Sequence, residues 1–494
     1  MNASNSAAMA PLHTASRPND RGGLDCHPSI FREYDIRGTV GKTLDATIAY
    51  HVGAAFGTSM ARRGFKTVAV GFDGRLSSPA FVQAVIDGLI RTGCQVINVG
   101  MCPTPLLYFA VKHLDTDAGI MVTGSHNPGD MNGFKMTTRE GPFFGAEIQV
   151  LARLIAAGNY DQGHSGMVHS HELMIPAYTK RLVEGMDALA ASNLTVAWDC
   201  GNGAAGTVIH QLIDKMPGQH ILLYDEVDGR FPNHHPDPTV DANLQDLIRT
   251  VRLHKCDLGI AFDGDADRIG VVDNEGNVIR CDMLLALYAA EVLKTHPGAT
   301  IIGDIKCSKA FFDEVGRLGG NAVMWKTGHS VIKSKMAETK APLAGELSGH
   351  IFFADKYYGF DDGLYCAVRL LELIAASGKT LKQLMAGFPP SFSTPEIRFE
   401  VDESRKFALI DEIRTHVRQS LKQNPDWKIN DIDGVRVDTK DGWWLLRASN
   451  TQNALTARIE GKDATALSTL KAQLVTAGRH VGLEIDLEEP DHHS

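Results

Sequence analysis

Apolar and polar positions follow a repeated pattern along the chain. Three β-branched apolar runs each end in an acidic residue and a turn: TVAVGFDGR (67–75), LTVAWDCGNG (194–203) and TIIGDIKCS (300–308). Each is followed further along by a second apolar segment that runs into a polar loop: GIMVTGSHN, LGIAFDGDADR and PLAGELSGH. Apolar runs bounded by turn residues predict buried parallel strands. Their recurrence predicts three homologous α/β units.

Amphipathic segments lie between the predicted strands. Residues 44–64 and 78–93 carry apolar side chains at three- and four-residue spacing and end at glycine, which predicts helices. Strand–helix–strand order predicts doubly wound sheets, and loops beyond the carboxyl ends of such strands meet at a ligand crevice. After residues 387–396, a Pro/Ser-rich linker, hairpin-like alternation predicts a smaller α+β domain.

The predicted fold class is therefore α/β, with three similar doubly wound domains around a cleft and a smaller C-terminal α+β domain. The Ala/Ser/Asn-rich start cannot bury enough apolar surface to offset the entropy of ordering, so we expect it to be disordered. The expected divisions are the disordered extension (1–23), three α/β domains (24–171, 172–277 and 278–390) and the α+β domain (391–494).

Composition narrows the class of partner. The chain has 494 residues and a formal charge of −10, from 59 acidic and 49 basic residues. This balance gives no basic footprint for nucleic acid and favours a small-molecule partner. Eight cysteines are scattered singly, which suits a reducing compartment. Because we find neither an apolar run of about 18 residues nor a signal sequence, we expect a cytoplasmic protein without a membrane partner.

The first candidate for chemistry is Ser125, in the segment TGSHNPGD (123–130), which we call the serine loop. It comes just past a predicted buried strand, where α/β proteins usually carry functional groups. Serine, asparagine, glycine and proline are also ordinary turn residues, so this loop alone does not decide between a site and a surface turn.

The segment DGDADR (263–268), the metal loop, offers three carboxylates at alternate positions: Asp263, Asp265 and Asp267. Carboxylates this close repel one another unless something neutralises them, and a hard divalent cation such as Mg²⁺ does so with oxygen ligands. An EF-hand is excluded because its sixth and twelfth positions would be Arg268 and Asn274. Arg268 fits either a phosphoryl group or a salt bridge within the loop.

Two further loops are rich in hydrogen-bonding groups. The sugar loop, GELSGH (345–350), combines carboxylate and hydroxyl groups that suit sugar hydroxyls: Glu346, Ser348 and His350. The phosphate loop, RASNTQN (447–453), is rich in donors that suit a phosphate: Arg447, Ser449, Asn450 and Thr451. GNGAAG (201–206) fits a dinucleotide fingerprint poorly, since Asp199 and Cys200 separate it from the strand, and a structural turn is preferred.

With TGSHNP, DGDADR, GELSGH and RASNT in this order, the sequence resembles the α-D-phosphohexomutase family and, within it, the bacterial phosphomannomutase/phosphoglucomutase branch. The resemblance extends from FREYDIRG (31–38) to RASNT. It implies an isomerase that interconverts hexose 1-phosphate and hexose 6-phosphate of mannose, glucose or both. The reaction would use a phosphoserine at Ser125 and a hexose 1,6-bisphosphate as intermediate and activator. We expect a monomer.

The resemblance also implies roles for individual residues. Mg²⁺ would be held by Ser125, Asp263, Asp265 and Asp267. Groups near the transferring phosphate would be Tyr34, Arg37, His126, Lys135 and Arg268. Lys306 and His329 would transfer protons or contact substrate. The sugar would be held through O3 and O4 by Glu346 and Ser348, and the distal phosphate by Arg447, Ser449, Asn450 and Thr451. Asn453 stands where the family often has proline.

Three rival functions differ in chemistry. A phosphoglucosamine mutase typically has glutamine or lysine before the serine of the sugar loop, whereas Leu347 stands here. A metal-dependent sugar-phosphate phosphatase with Asp263 as nucleophile would need no Ser125. A sugar-phosphate-binding protein would show affinity without turnover. The sequence does not rank mannose against glucose, because these sugars differ only at C2.

Overall fold

The protein is described from a computed structural model of the chain. The structure describes residues 17–18, 23–163, 166–171, 173–389, 392–402, 404–450 and 454–487. Most of the expected disordered extension (1–23), and Thr451 to Asn453 of the phosphate loop, lie outside the described residues. Within the extension, Arg17–Pro18 forms a short strand that pairs antiparallel with Leu24–Asp25.

The chain divides into two compact units. The first comprises Met1–Tyr178, Asn202–Val208 and Glu226–Pro236, and the second comprises Thr179–Gly201, Ile209–Asp225 and Asp237–Ser494. The first α/β sheet belongs to the first unit, whereas two further α/β sheets and the C-terminal sheet belong to the second.

The first sheet is parallel at its centre and antiparallel toward one edge. Its strands, in spatial order, are Ile36–Thr39, Met131–Thr138, Ala118–Val122, Thr67–Phe72, Gln95–Met101 and Met167–Ser170, and Gly141–Pro142 pairs with Met131–Thr138. Met131–Thr138 runs antiparallel to both strands beside it. The helices of this region are Pro28–Ile30 (3₁₀), Ala46–Arg62, Ser78–Arg91, Thr104–His113 and Ala146–Ala157.

The two predicted helices of this domain form as Ala46–Arg62 and Ser78–Arg91 and pack closely. At Gly53 and at Gly88, a Cβ atom would lie 2.2 Å from a backbone oxygen of the other helix. Only glycine allows so close an approach of two backbones. The first helix begins at Asp45, whose side chain accepts a hydrogen bond from the Ile48 N–H at 2.8 Å.

The second and third sheets repeat the arrangement of the first. The second contains Gln219–Leu223, Thr195–Asp199, Leu258–Phe262, Ile269–Asp273 and Val278–Ile279, and the third contains Asn321–Trp325, Thr300–Asp304, Leu343–Gly345 and Ile351–Phe353, in spatial order. In both, the first three strands are parallel and the next is antiparallel. The accompanying helices are Met174–Leu182, Asp187–Ala190, Gly206–Ile213, Asp241–Leu244 (3₁₀), Gln245–His254, Cys281–Thr295, Lys309–Arg317, His329–Thr339, Gly363–Ser377 and Leu381–Met385.

The C-terminal sheet is antiparallel throughout the described residues. Its strands are Phe392–Ser393, Ile397–Glu400, Lys428–Asn430, Val435–Thr439, Gly442–Ala448 and Ala454–Gly461, with helices Lys406–Ser420 and Ala464–His480 packed on it. The predicted class, three α/β domains and a C-terminal α+β domain, is confirmed. In the described part of the chain, no helix is long and apolar enough to cross a membrane.

The predicted parallel strands all form, but the sheets are mixed rather than purely parallel. The second apolar segment of each unit is the last parallel strand, and an antiparallel strand follows it directly. The serine, metal and sugar loops are therefore hairpin connections between a parallel and an antiparallel strand. The sequence analysis did not predict this, because the antiparallel strands MNGFKMTT, IGVVD and IFF are short or lack a regular alternation.

Candidate functional site

The serine loop turns sharply between Ala118–Val122 and Met131–Thr138. Ser125 is buried and has a φ of 51°, in the left-handed region that residues other than glycine seldom adopt. Its N–H donates to Thr123 Oγ1 at 2.8 Å, and its Oγ lies 3.4 Å from His126 Nδ1. The predicted pair Ser125 and His126 is thus in contact.

Two side chains that the sequence analysis did not select hold this loop. The guanidinium of Arg75 donates to four backbone carbonyls at 2.5 to 3.0 Å, those of Ser125, Asn127, Pro128 and Met131. Asp73 accepts from Thr123 Oγ1 at 2.8 Å, from Gly124 N at 3.1 Å and from Arg75 Nε at 3.1 Å. Their signal in the sequence was the position of DGR at the end of the first strand, where the other repeats also have aspartate.

Arg37, one of the predicted phosphate contacts, also reaches the serine loop. Its Nε donates to Asp35 at 2.7 Å, and its Nη1 donates to Asn127 Oδ1 at 2.7 Å. Lys135 lies buried on the following strand, opposite Met121. Tyr34 is buried, with its ring 6.5 Å from that of Phe144. Tyr34, Arg37, Lys135 and the serine loop therefore belong to the same compact unit.

The metal loop joins Leu258–Phe262 to Ile269–Asp273. Asp263, Asp265 and Asp267 are fully buried, and one carboxylate oxygen of each lies within 4.8 Å of the others. Burying three like charges together is costly without a compensating cation. The donor set, all carboxylate oxygens, is the kind that Mg²⁺ prefers, so these residues fit the metal that the sequence analysis expects.

Arg268 and His350 connect the metal loop to the sugar loop. Arg268 Nε donates to His350 Nε2 at 2.9 Å, so this histidine nitrogen must accept and the proton must reside on Nδ1. Nδ1 lies 3.0 Å from Asp361 Oδ2, to which it can donate. Lys333 Nζ lies 2.9 Å from the other oxygen of Asp361. Burial raises the pKa of Asp361, but Lys333 and the neighbouring imidazoles outweigh it and hold that pKa well below its usual value.

The same hydrogen bonds argue against a second metal site nearby. Asp267, His350 and Asp361 lie close enough to hold an ion. A metal on His350 Nδ1 would require the proton on Nε2, where Arg268 already donates. We therefore assign His350 to orienting Arg268 rather than to ligating a metal.

The sugar loop presents a buried carboxylate with two partners. Glu346 Oε1 accepts from Gly328 N at 2.7 Å, and Oε2 accepts from Ser348 Oγ at 2.8 Å. Burial raises the pKa of Glu346. The predicted pair Glu346 and Ser348 is in direct contact, in a loop that also turns through Gly349 at a φ of 94°.

Asp304 joins three segments around the sugar loop. It accepts from Leu347 N at 3.2 Å, from Thr327 Oγ1 at 2.9 Å and from Cys307 Sγ at 3.1 Å. Lys306 Nζ lies 3.8 Å from Asp304 and donates to Glu396 at 2.9 Å. Burial lowers the pKa of Lys306, but the two carboxylates outweigh it and raise that pKa.

His329, the other predicted proton-transfer residue, begins the helix His329–Thr339. It is buried, its ring centroid lies 5.6 Å from that of His350, and its Nδ1 lies 3.8 Å from Asp361 Oδ2. His329 therefore belongs to the same group of buried ionisable side chains as Arg268 and the sugar loop.

The phosphate loop is a hairpin connection in the C-terminal sheet. Arg447, on the strand Gly442–Ala448, is buried, and its Nε donates to Asp433 Oδ2 at 3.1 Å. The same oxygen accepts from Thr327 N at 3.0 Å. Ser449 N donates to Ala454 O at 2.9 Å. Thus Arg447 is a fixed cation rather than a mobile surface side chain.

Four family models together match most of the chain. They describe phosphoglucomutase/phosphomannomutase alpha/beta/alpha domain I (residues 28–160), domain II (176–276), domain III (280–392) and the C-terminal domain (396–477).

Whole proteins of known name are also similar. A phosphomannomutase/phosphoglucomutase of Pseudomonas aeruginosa is 47% identical over 446 residues, which are 90% of this chain and 94% of that protein. A phosphoglucomutase of Neisseria gonorrhoeae is 40% identical, over 90% of this chain and 95% of that protein. The crystal structure of a phosphoglucomutase/phosphomannomutase family protein from Burkholderia thailandensis has a TM-score of 0.86 and 41% identity, covering 92% of this chain and 98% of that one.

Proposed function

We propose that this chain, which belongs to the phosphoglucomutase/phosphomannomutase family, is a phosphohexomutase that interconverts the 1-phosphate and 6-phosphate of glucose, mannose or both. One observation carries the proposal. In each of the three α/β domains, the hairpin that follows the last parallel strand bears the polar side chains required for one part of this reaction: a serine, a carboxylate cluster and a sugar-binding pair.

In this proposal Ser125 carries the phosphoryl group. The bond from phosphorus to Ser125 Oγ breaks as a bond forms to O6 of a hexose 1-phosphate, and the hydroxyl proton leaves to a base, for which His329 is our candidate. The resulting hexose 1,6-bisphosphate reverses its orientation. Its C1 phosphoryl group then returns to Ser125, which releases hexose 6-phosphate.

Neutralising the charge of the phosphoryl group is the main task of the surrounding residues. Asp263, Asp265 and Asp267, with Ser125, would hold Mg²⁺, which supplies Lewis-acid neutralisation of phosphoryl oxygens when bound. Arg268 is preset for the same task, because His350 accepts from its Nε and leaves its terminal nitrogens to face a phosphoryl oxygen. The further candidates near the transferring phosphate are Tyr34, Arg37, His126 and Lys135.

The remaining groups bind the part of the substrate that does not react. Glu346 and Ser348 accept from and donate to sugar hydroxyls, a pairing that tolerates both orientations of the bisphosphate. Arg447, Ser449, Asn450 and Thr451 are proposed to bind the distal phosphate, and Lys306 to contact the substrate. A cytoplasmic setting fits the eight free thiols.

The experiment is to follow glucose 1-phosphate and mannose 1-phosphate by ³¹P NMR, with purified enzyme, Mg²⁺ and a catalytic amount of glucose 1,6-bisphosphate. We expect conversion to the 6-phosphates without release of inorganic phosphate, and an intact mass that includes one phosphoryl group. Release of inorganic phosphate without isomer conversion would favour the phosphatase, and conversion of glucosamine 1-phosphate alone would favour a phosphoglucosamine mutase.

A further inference from the structure

Three buried side chains outside the predicted site surround the backbone of the serine loop. Asp73, Arg75 and Thr123 are each 1% exposed. None of them is in contact with the side-chain oxygen of Ser125, yet each is one bond or less from a backbone group of the loop. Their effect on phosphoryl transfer would therefore act through the position of Ser125.

Arg75 determines the course of the loop. Its Nη2 donates to Ser125 O at 2.6 Å and to Asn127 O at 2.5 Å, while its Nη1 donates to the carbonyls of Pro128 and Met131. The loop backbone lies directly against the guanidinium, because a Cβ on Gly124 would be 2.5 Å from Arg75 Cζ. A planar guanidinium with several donors fixes several carbonyls at once, which the single ammonium of lysine does not do.

Thr123 determines the conformation of Ser125 itself. Its Oγ1 donates to Asp73 Oδ2 at 2.8 Å and accepts from Ser125 N at 2.8 Å. The hydroxyl thus transmits the position of a buried carboxylate to the N–H of the next residue but one. This contact holds Ser125 at a φ of 51°, which a serine does not adopt without support from its surroundings.

We propose that Thr123, Asp73 and Arg75 are positioning residues for Ser125, which orient its hydroxyl for phosphoryl transfer. The proposal rests on the function proposed above. A nucleophile that must both donate and recover a phosphoryl group requires the same orientation at each step. Small displacements of reacting atoms lower such rates steeply.

The sharpest test uses Thr123→Val and Thr123→Ser. Valine keeps the shape of threonine but loses the hydroxyl, whereas serine keeps the hydroxyl. The readouts are the rate at which dephosphorylated enzyme takes up phosphate from glucose 1,6-bisphosphate, followed by intact mass after rapid quenching, and the kcat and KM for glucose 1-phosphate. The matched control is Thr116→Val, which removes another buried hydroxyl near the opposite end of the same strand.

We expect Thr123→Val to lower phosphate uptake and kcat together by about 10- to 100-fold, with KM changed less than about twofold. Thr123→Ser should restore most of the rate, and Thr116→Val should transfer phosphate normally. Should Thr123→Val fold poorly, Arg75→Lys decides on the same readouts, and its kcat should fall at constant KM. Uptake at the wild-type rate in the folded valine or lysine variant would overturn the proposal.

The failure of this inference is distinguishable from failure of the proposed function. A wild-type enzyme that converts hexose phosphates, together with a normal rate in Thr123→Val, removes only the positioning role. If the wild-type enzyme neither takes up phosphate nor converts hexose phosphates, the function itself is wrong.

Discussion

The serine loop and the sugar loop occupy the same place in their sheets but are held by different groups. Each follows the last parallel strand, and each donates a backbone N–H to an aspartate that ends the adjacent strand. Gly124 N donates to Asp73 at 3.1 Å, and Leu347 N donates to Asp304 at 3.2 Å. The repeated fold therefore uses the same device twice to fix a loop at the carboxyl end of a sheet.

The cation beside each aspartate differs. Arg75 contacts Asp73 and directs its other donors to four carbonyls of the serine loop. Lys306 lies 3.8 Å from Asp304 and donates to Glu396, which directly precedes a strand of the C-terminal sheet. The serine loop is thus fixed from within its own domain, while the surroundings of the sugar loop are shared with the C-terminal domain. A group that transfers phosphate requires a fixed position, whereas a site that accepts two substrate orientations does not.

The comparison first predicts unequal effects of two serine substitutions. Ser125→Ala should lower kcat by about 10³-fold or more, because it removes the proposed phosphoryl carrier. Ser348→Ala should mainly raise KM, by about tenfold, because it removes a hydroxyl that donates to Glu346 at 2.8 Å and would bind sugar. Steady-state kinetics with glucose 1,6-bisphosphate present measures both. Comparable losses of kcat in the two variants would contradict the distinction between the loops.

Sequence reasoning predicted the fold class and the loops because their signals are local. The three apolar runs ending at Asp73, Asp199 and Asp304 formed as parallel strands, and the alternation after residue 396 formed the C-terminal sheet. The contact of Glu346 with Ser348 follows from their two-residue spacing in a tight loop.

The supporting residues could not be predicted in the same way. Arg75 lies 50 residues before Ser125, and DGR at a strand end is an ordinary turn sequence. Glu396 lies in a linker-like segment 90 residues after Lys306. Such contacts depend on how strands are ordered in a sheet and on how domains pack, and residue patterns carry little information on either.

The second prediction concerns stability. All five printed partners of Asp73 are donors, so the amide of Asp73→Asn would direct a donor at donors and leave the buried Arg75 charge uncompensated. We expect a loss of about 3 to 5 kcal/mol in the free energy of unfolding. Asp304→Asn should lose less, about 1 to 3 kcal/mol, since Lys306 keeps Glu396 as a partner. Calorimetry of both variants measures this, and a larger loss in Asp304→Asn would contradict the comparison.

The third prediction separates the metal loop from both other loops. Asp265→Asn should weaken Mg²⁺ binding by at least about tenfold, since even indirect partners of metal ligands contribute 10- to 100-fold. Isothermal titration of the dephosphorylated enzyme measures this. The matched control is Asp313→Asn, an exposed carboxylate paired with Lys309 on a surface helix. Equal Mg²⁺ affinity in the two variants would rule out the assignment of Asp265 as a ligand.

The smallest predicted effect tests the shared surroundings of the sugar loop through pH. Burial raises the pKa of Glu396, but Lys306 and Arg398 outweigh it and hold the pKa below its usual value. The pair therefore contributes stability above the unfolded pKa of glutamate, about 4.3, and loses it as pH falls through the lower folded pKa. Lys306, whose pKa is raised, contributes below about 10.4 and loses its contribution as pH rises through the higher folded pKa.

Glu396→Gln should thus lower the free energy of unfolding by about 1 to 2 kcal/mol between roughly pH 5 and pH 10, and the difference from wild type should shrink below about pH 4. Thermal melts from pH 3 to pH 8 measure it, with Glu338→Gln, which affects an exposed pair with Lys335, as the control. If wild type and Glu396→Gln keep a constant separation through pH 4, the ion pair is not its cause. Convergence in acid would show that the sugar loop, unlike the serine loop, depends for its lysine on a carboxylate from the C-terminal domain.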